Sequence, residues 1–315
     1  MPPLRTTVET LATPAGRMIG TPGHRAARDY LVSRLGTHSE VQPDGDSFVL
    51  PYGPAESDLA NVIARIPGEH PEREPVLLAA HYDTCGPLPG ADDNAAAIAV
   101  LLDLIPQLGG LERPVILAFF DGEEPPLFLS PHMGSIHWYH QQRQGPVHCA
   151  IVLDLVGHDV PLPTAEDLVF VTGMESDPSF GQLVLEADPV SGVRMVPTLN
   201  QYLGDLSDHH AFREDRCPYL FFSCGRWEHY HQATDTPERL NYAKMAALGD
   251  WLLQLLPLLC GAPLQGPFEG YDTTEIECTL MNRHLGTLLD SLGGRVESRD
   301  DITRVVNTLV GGFGL

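Results

Sequence analysis

Lysine is almost missing from this 315-residue chain: Lys244 is the only one among 19 basic residues, against 42 acidic ones, and the net charge is −23. No polybasic stretch is present to grip nucleic acid or anionic lipid, so neither is an expected partner. Paired cysteines are also lacking. The six thiols, at positions 85, 149, 217, 224, 260 and 278, form no C-x-x-C pair and suit the reduced state of a cytosolic protein better than a disulfide framework. Long apolar runs are missing too. Residues 1–20 contain no run of signal-peptide length, and the most apolar stretch, Trp251 to Cys260, is broken by Gln254 and Pro257. These absences predict a cytoplasmic protein with no membrane span.

What is present is enough for a large core. Hydrophobic residues make up 43% of the chain and charged residues 19%, which excludes wholesale disorder and fits one α/β domain, with or without an appendage. Thr21-Pro22-Gly23 reads as a helix start, with Ala27, Tyr30, Leu31 and Leu35 at helical spacing and Gly36 at the end. Strands are expected at Phe48 to Tyr52 and Asn61 to Ile66. Three continuous apolar runs follow, Val76 to Ala80, Val115 to Phe120 and Ala150 to Leu153, as expected for strands buried on both faces. A helical pattern from Asn94 to Leu108 links the first two as a crossover unit. A fourth strand at Pro218 to Phe222 and a helix from about Tyr242 to Leu259 complete a three-layer α/β/α fold around a mixed, largely parallel sheet. Residues 1–260 are expected to form the main domain, and 261–315 a helical C-terminal extension beginning in a Gly/Pro-rich linker.

In open α/β sheets, ligands gather outside the carboxyl ends of the strands. Here each apolar run ends in ionisable residues: His81-Tyr82-Asp83, Asp121-Gly122-Glu123-Glu124 and Asp154, with Asp93 in the loop opening the crossover helix and His229-Tyr230-His231 after the fourth strand. Any one of these alone would read as a cap or turn residue. Together, two histidines and three carboxylates supply the donors of a zinc pair, with Asp93 as the bridge. Asp83 is placed to accept the second ring N–H of His81. Of the adjacent acids, Glu124 is assigned to metal and Glu123 to proton transfer. Cys85 lies nearby, but oxygen and nitrogen donors are the better fit.

The successive motifs are His81-Tyr-Asp83, Gly90-Ala-Asp-Asp-Asn94, Phe119-Phe-Asp-Gly-Glu-Glu124, Leu153-Asp154-Leu-Val-Gly157, Ser207-Asp208-His209 and Tyr230-His231 with Asp235-Thr236. From about residue 16 to 245 they resemble, in order, the zinc-dependent aminopeptidases, whose catalytic domain is shared with glutaminyl cyclases, carboxypeptidase relatives and the transferrin-receptor ectodomain. The resemblance implies one zinc on His81, Asp93 and Asp154, a second on Asp93, Glu124 and His231, and Glu123 as general base and acid. It further implies a peptide substrate with a free N-terminus, with Asp208, His209 and Tyr230 on the substrate side. His229 competes with His231, which matches the motif better.

Two departures favour a cyclase-like alternative: the long loop Pro125 to Met133, and Trp227. A cyclase would hold one zinc on the equivalents of Asp93, Glu124 and His231 and form N-terminal pyroglutamate. Receptor relatives that have lost their ligands suggest a third reading, a metal-free binding domain, but no ligand position is lost here. The pocket walls are expected from loops 125–135, 157–167 and 191–206; the preferred side chain and oligomeric state are not legible.

Overall fold

The computed structural model describes residues 3–187 and 189–313. Nine strands form one sheet: β1 (Gln42–Pro43), β2 (Val49–Pro51), β3 (Ala60–Ile66), β4 (Val76–His81), β5 (Val115–Phe120), β6 (Cys149–Leu153), β7 (Leu168–Thr172), β8 (Arg194–Thr198) and β9 (Tyr219–Ser223). Their order is β1-β3-β5-β4-β6-β9-β7-β8, with β2 on β3. The central block β5-β4-β6-β9 is wholly parallel, while β3 and β7 flank it antiparallel. The expected mixed sheet is therefore present, its parallel character concentrated in the centre.

Alternation along these strands divides the interior into two layers, because successive side chains leave opposite faces. Leu78, Ala80, Leu117, Phe119, Ile151 and Leu153 join the larger core, beneath the helices Pro22–Leu35, Ala97–Leu104 and Tyr242–Gly261. Leu77, Ala79, Ile116, Ala118, Phe120 and Val152 face Trp138, Tyr139 and Phe212 on the other side. Both faces being covered explains why these strands read as unbroken apolar runs.

The crossover between β4 and β5 begins with a π-turn, Ala91–Ala96, before the α-helix Ala97–Leu104. Thr21 caps the helix Pro22–Leu35, its side chain accepting the His24 N–H, as the sequence indicates. The helix Tyr242–Gly261 runs through Pro257 instead of being divided there. By length and composition it could cross a membrane, yet 61% of its apolar window is buried within the fold.

Several elements escape the sequence reading, among them the helices Pro3–Leu11 and Phe180–Glu186 and the strands β1, β7 and β8. The tail is helical as expected, with helices Thr274–Leu285, Leu288–Ser291 and Arg299–Phe313 among the described residues. Its Leu280, Met281, Leu285, Ile302 and Val305 are buried in the larger core.

Candidate metal centre

The carboxyl ends of the parallel strands carry the site. His81 is the last residue of β4, Asp154 follows β6 directly, and Glu123 and Glu124 lie in the turn after β5. Asp93 comes from the π-turn and His231 from the loop after β9. Five distant segments thus converge because the sheet registers their ends.

Asp93 sits between two groups. One carboxylate oxygen is 3.2 Å from His81 Nε2, and the other is 3.2 Å from His231 Nε2. On the first side Asp154 lies 3.6 Å from His81 Nε2; on the second, Glu124 lies 3.0 Å from His231 Nε2. Ligands about 2.0–2.1 Å from a tetrahedral zinc stand roughly 3.3 Å apart, which these separations match. His81 Nε2, Asp154 Oδ1 and His231 Nε2 are buried without a hydrogen-bond partner among the described residues, as donors reserved for a cation would be. The residues therefore fit zinc. Glu123 Oε2 lies 3.9 Å from His81 Nε2.

Electrostatics points the same way. Burial drives the Glu123 carboxyl well above its ordinary range, with Asp154 and Glu124 adding to the shift and His81 opposing it. Burial and Asp93 push Glu124 to about 8, against the pull of His231. Burial would lower the His231 imidazolium, but the Asp93 and Glu124 carboxylates hold it near 10. So many buried acids within a few ångströms call for positive charge.

The surrounding residues fix this geometry. Asp83 accepts the backbone N–H groups of Glu123 and Glu124, at 3.2 and 3.1 Å. Its expected partner, His81 Nδ1, is 3.5 Å away, longer than a normal hydrogen bond, so Asp83 holds the glutamate turn more closely than the imidazole. Asp235 accepts the N–H groups of Asp92 and Asp93, while Asp92 accepts those of Gly157 and His158 and pairs with His158 Nδ1 at 2.6 Å. Buried Arg17 spans the carbonyls of Tyr82, Pro89, Gly90 and Asp93. Gly90, at φ 58°, admits this crossing: a Cβ there would meet the Asp93 carbonyl at 2.2 Å. Neither Arg17 nor these roles of Asp92 and Asp235 were assigned from sequence. The Asp-Asp-Asn and Asp-Thr motifs were the only available signal.

Several other expectations divide. His231 reaches the cluster, whereas His229 bonds Thr234 Oγ1 and packs edge-on to Trp227. Trp227 itself stacks on His158 at 4.5 Å and does not line the cavity. Asp208 is fully buried, pushed to about 7 by burial while His81 opposes the shift. Its neighbour His209 instead stacks on Phe221 at 4.3 Å and bonds Asn200, and burial holds it down near 4. Tyr230 stacks on His231 at 3.8 Å and lines the cavity. Cys85 gives its N–H to Glu124, and its sulfur lies within 4.8 Å of donors on Glu124 and His231. The cavity is walled by Leu155, Leu206, Phe221, Gly225 and Tyr230. Loops 125–135 and 157–167 contribute nothing to it, and 191–206 only Leu206, because the strand ends themselves and the segment after β9 crowd the site.

Residues 61–256 match peptidase family M28. The protein YfbL of Escherichia coli is 28% identical over 248 residues, covering 67% of this chain and 70% of its own length. Two longer relatives, provisionally named endoplasmic reticulum metallopeptidases, come from Schizosaccharomyces pombe and Caenorhabditis elegans. They are 26% and 33% identical and cover 65% and 38% of this chain, which spans only 30% and 14% of their lengths. Among solved structures, the glutaminyl cyclase of Tannerella forsythia superposes with a TM-score of 0.63 at 19% identity, covering 81% of this chain and 97% of its own. A leucine aminopeptidase precursor from Bacteroides thetaiotaomicron gives 0.62 at 20%, covering 81% and 95%. At such identities these two speak for the fold alone.

Proposed function

The chain belongs to peptidase family M28, a family of zinc-dependent metallopeptidases, and we propose that it is an aminopeptidase holding two zinc ions around Asp93. The observation that carries this reading is the Asp93 carboxylate, which offers one oxygen to the His81 side and the other to the His231 side at equal distance. In the proposal, His81, Asp93 and Asp154 hold one ion, and Asp93, Glu124 and His231 the other. Bound zinc supplies Lewis-acid chemistry, polarising a carbonyl and lowering the pKa of water.

The chain's own groups do the rest. Glu123 lines the cavity without hydrogen-bonding a neighbouring side chain among the described residues, so its carboxylate takes the proton of the attacking water and returns it to the departing amine. Burial makes it a stronger proton acceptor than an exposed glutamate. Asp83 keeps Glu123 and Glu124 in their divided orientations by accepting both backbone N–H groups. Glu123, the wall carboxylate not committed to metal, attracts the free α-ammonium of a peptide, and Tyr230 covers His231.

The test is zinc stoichiometry together with two incubations. An aminopeptidase holds about two zinc ions per chain and releases free N-terminal residues from aminoacyl anilides. The second reading, a single-zinc glutaminyl cyclase, draws on the Pro125 to Met133 loop; one zinc, with ring closure of an N-terminal Gln and ammonia release, would establish it instead.

A further inference from the structure

The cavity beside the metal-facing side chains carries one cation on its wall. Asp93, Glu123 and Asp154 form its acidic side, Leu155, Leu206 and Phe221 its apolar side, and Arg226 stands at the exposed margin. The Arg226 guanidinium lies 5.0 Å from the centre of the Tyr230 ring, which itself stacks on His231 at 3.8 Å. Among the described residues it has no carboxylate within ion-pair distance. In a chain with 42 acidic residues against 19 basic ones, a guanidinium left without an acid partner beside a cluster of carboxylates calls for an anion from outside.

We propose that Arg226 binds the C-terminal carboxylate of a short peptide, so that the enzyme acts foremost on dipeptides with an apolar N-terminal residue. This rests on the metallopeptidase reading and specifies the substrate for the same site. Three observations support it. The guanidinium and the His231 ring both lie against Tyr230, 5.0 and 3.8 Å from its ring centre, separations on the scale of the roughly 7 Å that an extended dipeptide spans. The apolar wall beside the acids suits an uncharged N-terminal side chain and offers Arg226 no competing anion. The Tyr230 face holds the guanidinium in place while leaving its N–H groups free for bidentate pairing with a carboxylate. An acidic N-terminal side chain would present the same chemical group from a different place, and the experiment separates the two.

Binding of Leu-Gly, Leu-Gly amide and Glu-Gly amide to zinc-loaded Glu123→Gln protein, measured by calorimetry, reads recognition without turnover. Leu-Gly should bind about tenfold more tightly than its amide, as expected for a charge-assisted pair. Adding Arg226→Gln should bring the two together, and Arg226→Lys should restore only part of the difference, since lysine lacks the planar fork. Zinc content and the thermal midpoint of each variant verify that the fold is intact. Equal binding of Leu-Gly and its amide with Arg226 present would overturn the proposal, and so would Glu-Gly amide binding as tightly as Leu-Gly. Turnover of Leu-Gly by the unaltered enzyme is scored separately. A carboxylate preference without leucine release would leave recognition by Arg226 standing and refute the peptidase reading.

Discussion

The two sides of Asp93 are built differently. On the His81 side, His81 and Asp154 are attached to the ends of β4 and β6, in the parallel centre of the sheet, and both are buried. On the His231 side, Glu124 is buried, but His231 rides on a loop, has a φ of 54°, and leaves its side chain 25% exposed. Donors fixed by sheet register need little ordering when an ion arrives, whereas a loop histidine must be held. The first position should therefore bind zinc more tightly, and the second should exchange.

Replacing the shared residue tests this contrast most severely. Asp93→Asn should empty both positions and lower kcat/KM by roughly a thousandfold or more, since both ions lose a ligand. Retention of full zinc content would break the picture of a bridge. Next in size is Glu123→Gln, which should keep zinc bound while kcat falls about 10²- to 10⁴-fold, the usual worth of a general base. Asp83→Asn comes third. Because Asp83 holds the backbone of the glutamate turn, a loss of about 10- to 100-fold in activity or metal affinity is expected. Metal analysis of His231→Ala should show the His81 position still filled and the other vacant, whereas His81→Ala should disturb the tighter ion. The smallest effect belongs to His229→Ala: its partner is Thr234, so zinc content should stay near that of the unaltered protein.

The same contrast explains what the sequence made legible. The central strands are buried on both faces, so Val76 to Ala80, Val115 to Phe120 and Ala150 to Leu153 stand out as continuous apolar runs ending in ionisable residues. His81, Glu124 and Asp154 could be read from those endings, whereas Asp93 and His231, on a turn and a loop, were legible from their motifs. Strand β8 was hidden by Pro197, which an edge strand tolerates because its outer N–H side needs no partner. Arg17 and Asp235 act on backbone groups more than 60 residues away in sequence, through contacts that no local periodicity records. The cavity wall was misplaced for a related reason: Leu155, Phe221 and Gly225 sit at or beside strand ends, where apolar residues look like ordinary core.

The most direct test of the account is the stepwise removal of zinc by a chelator, with bound metal counted at each step alongside hydrolysis of an aminoacyl anilide. Two ions per chain, the first lost from a position that His231→Ala already lacks and the second more slowly, is the result expected. A single ion that survives substitution of His81 or Asp154 would contradict the claim that Asp93 joins two metal positions.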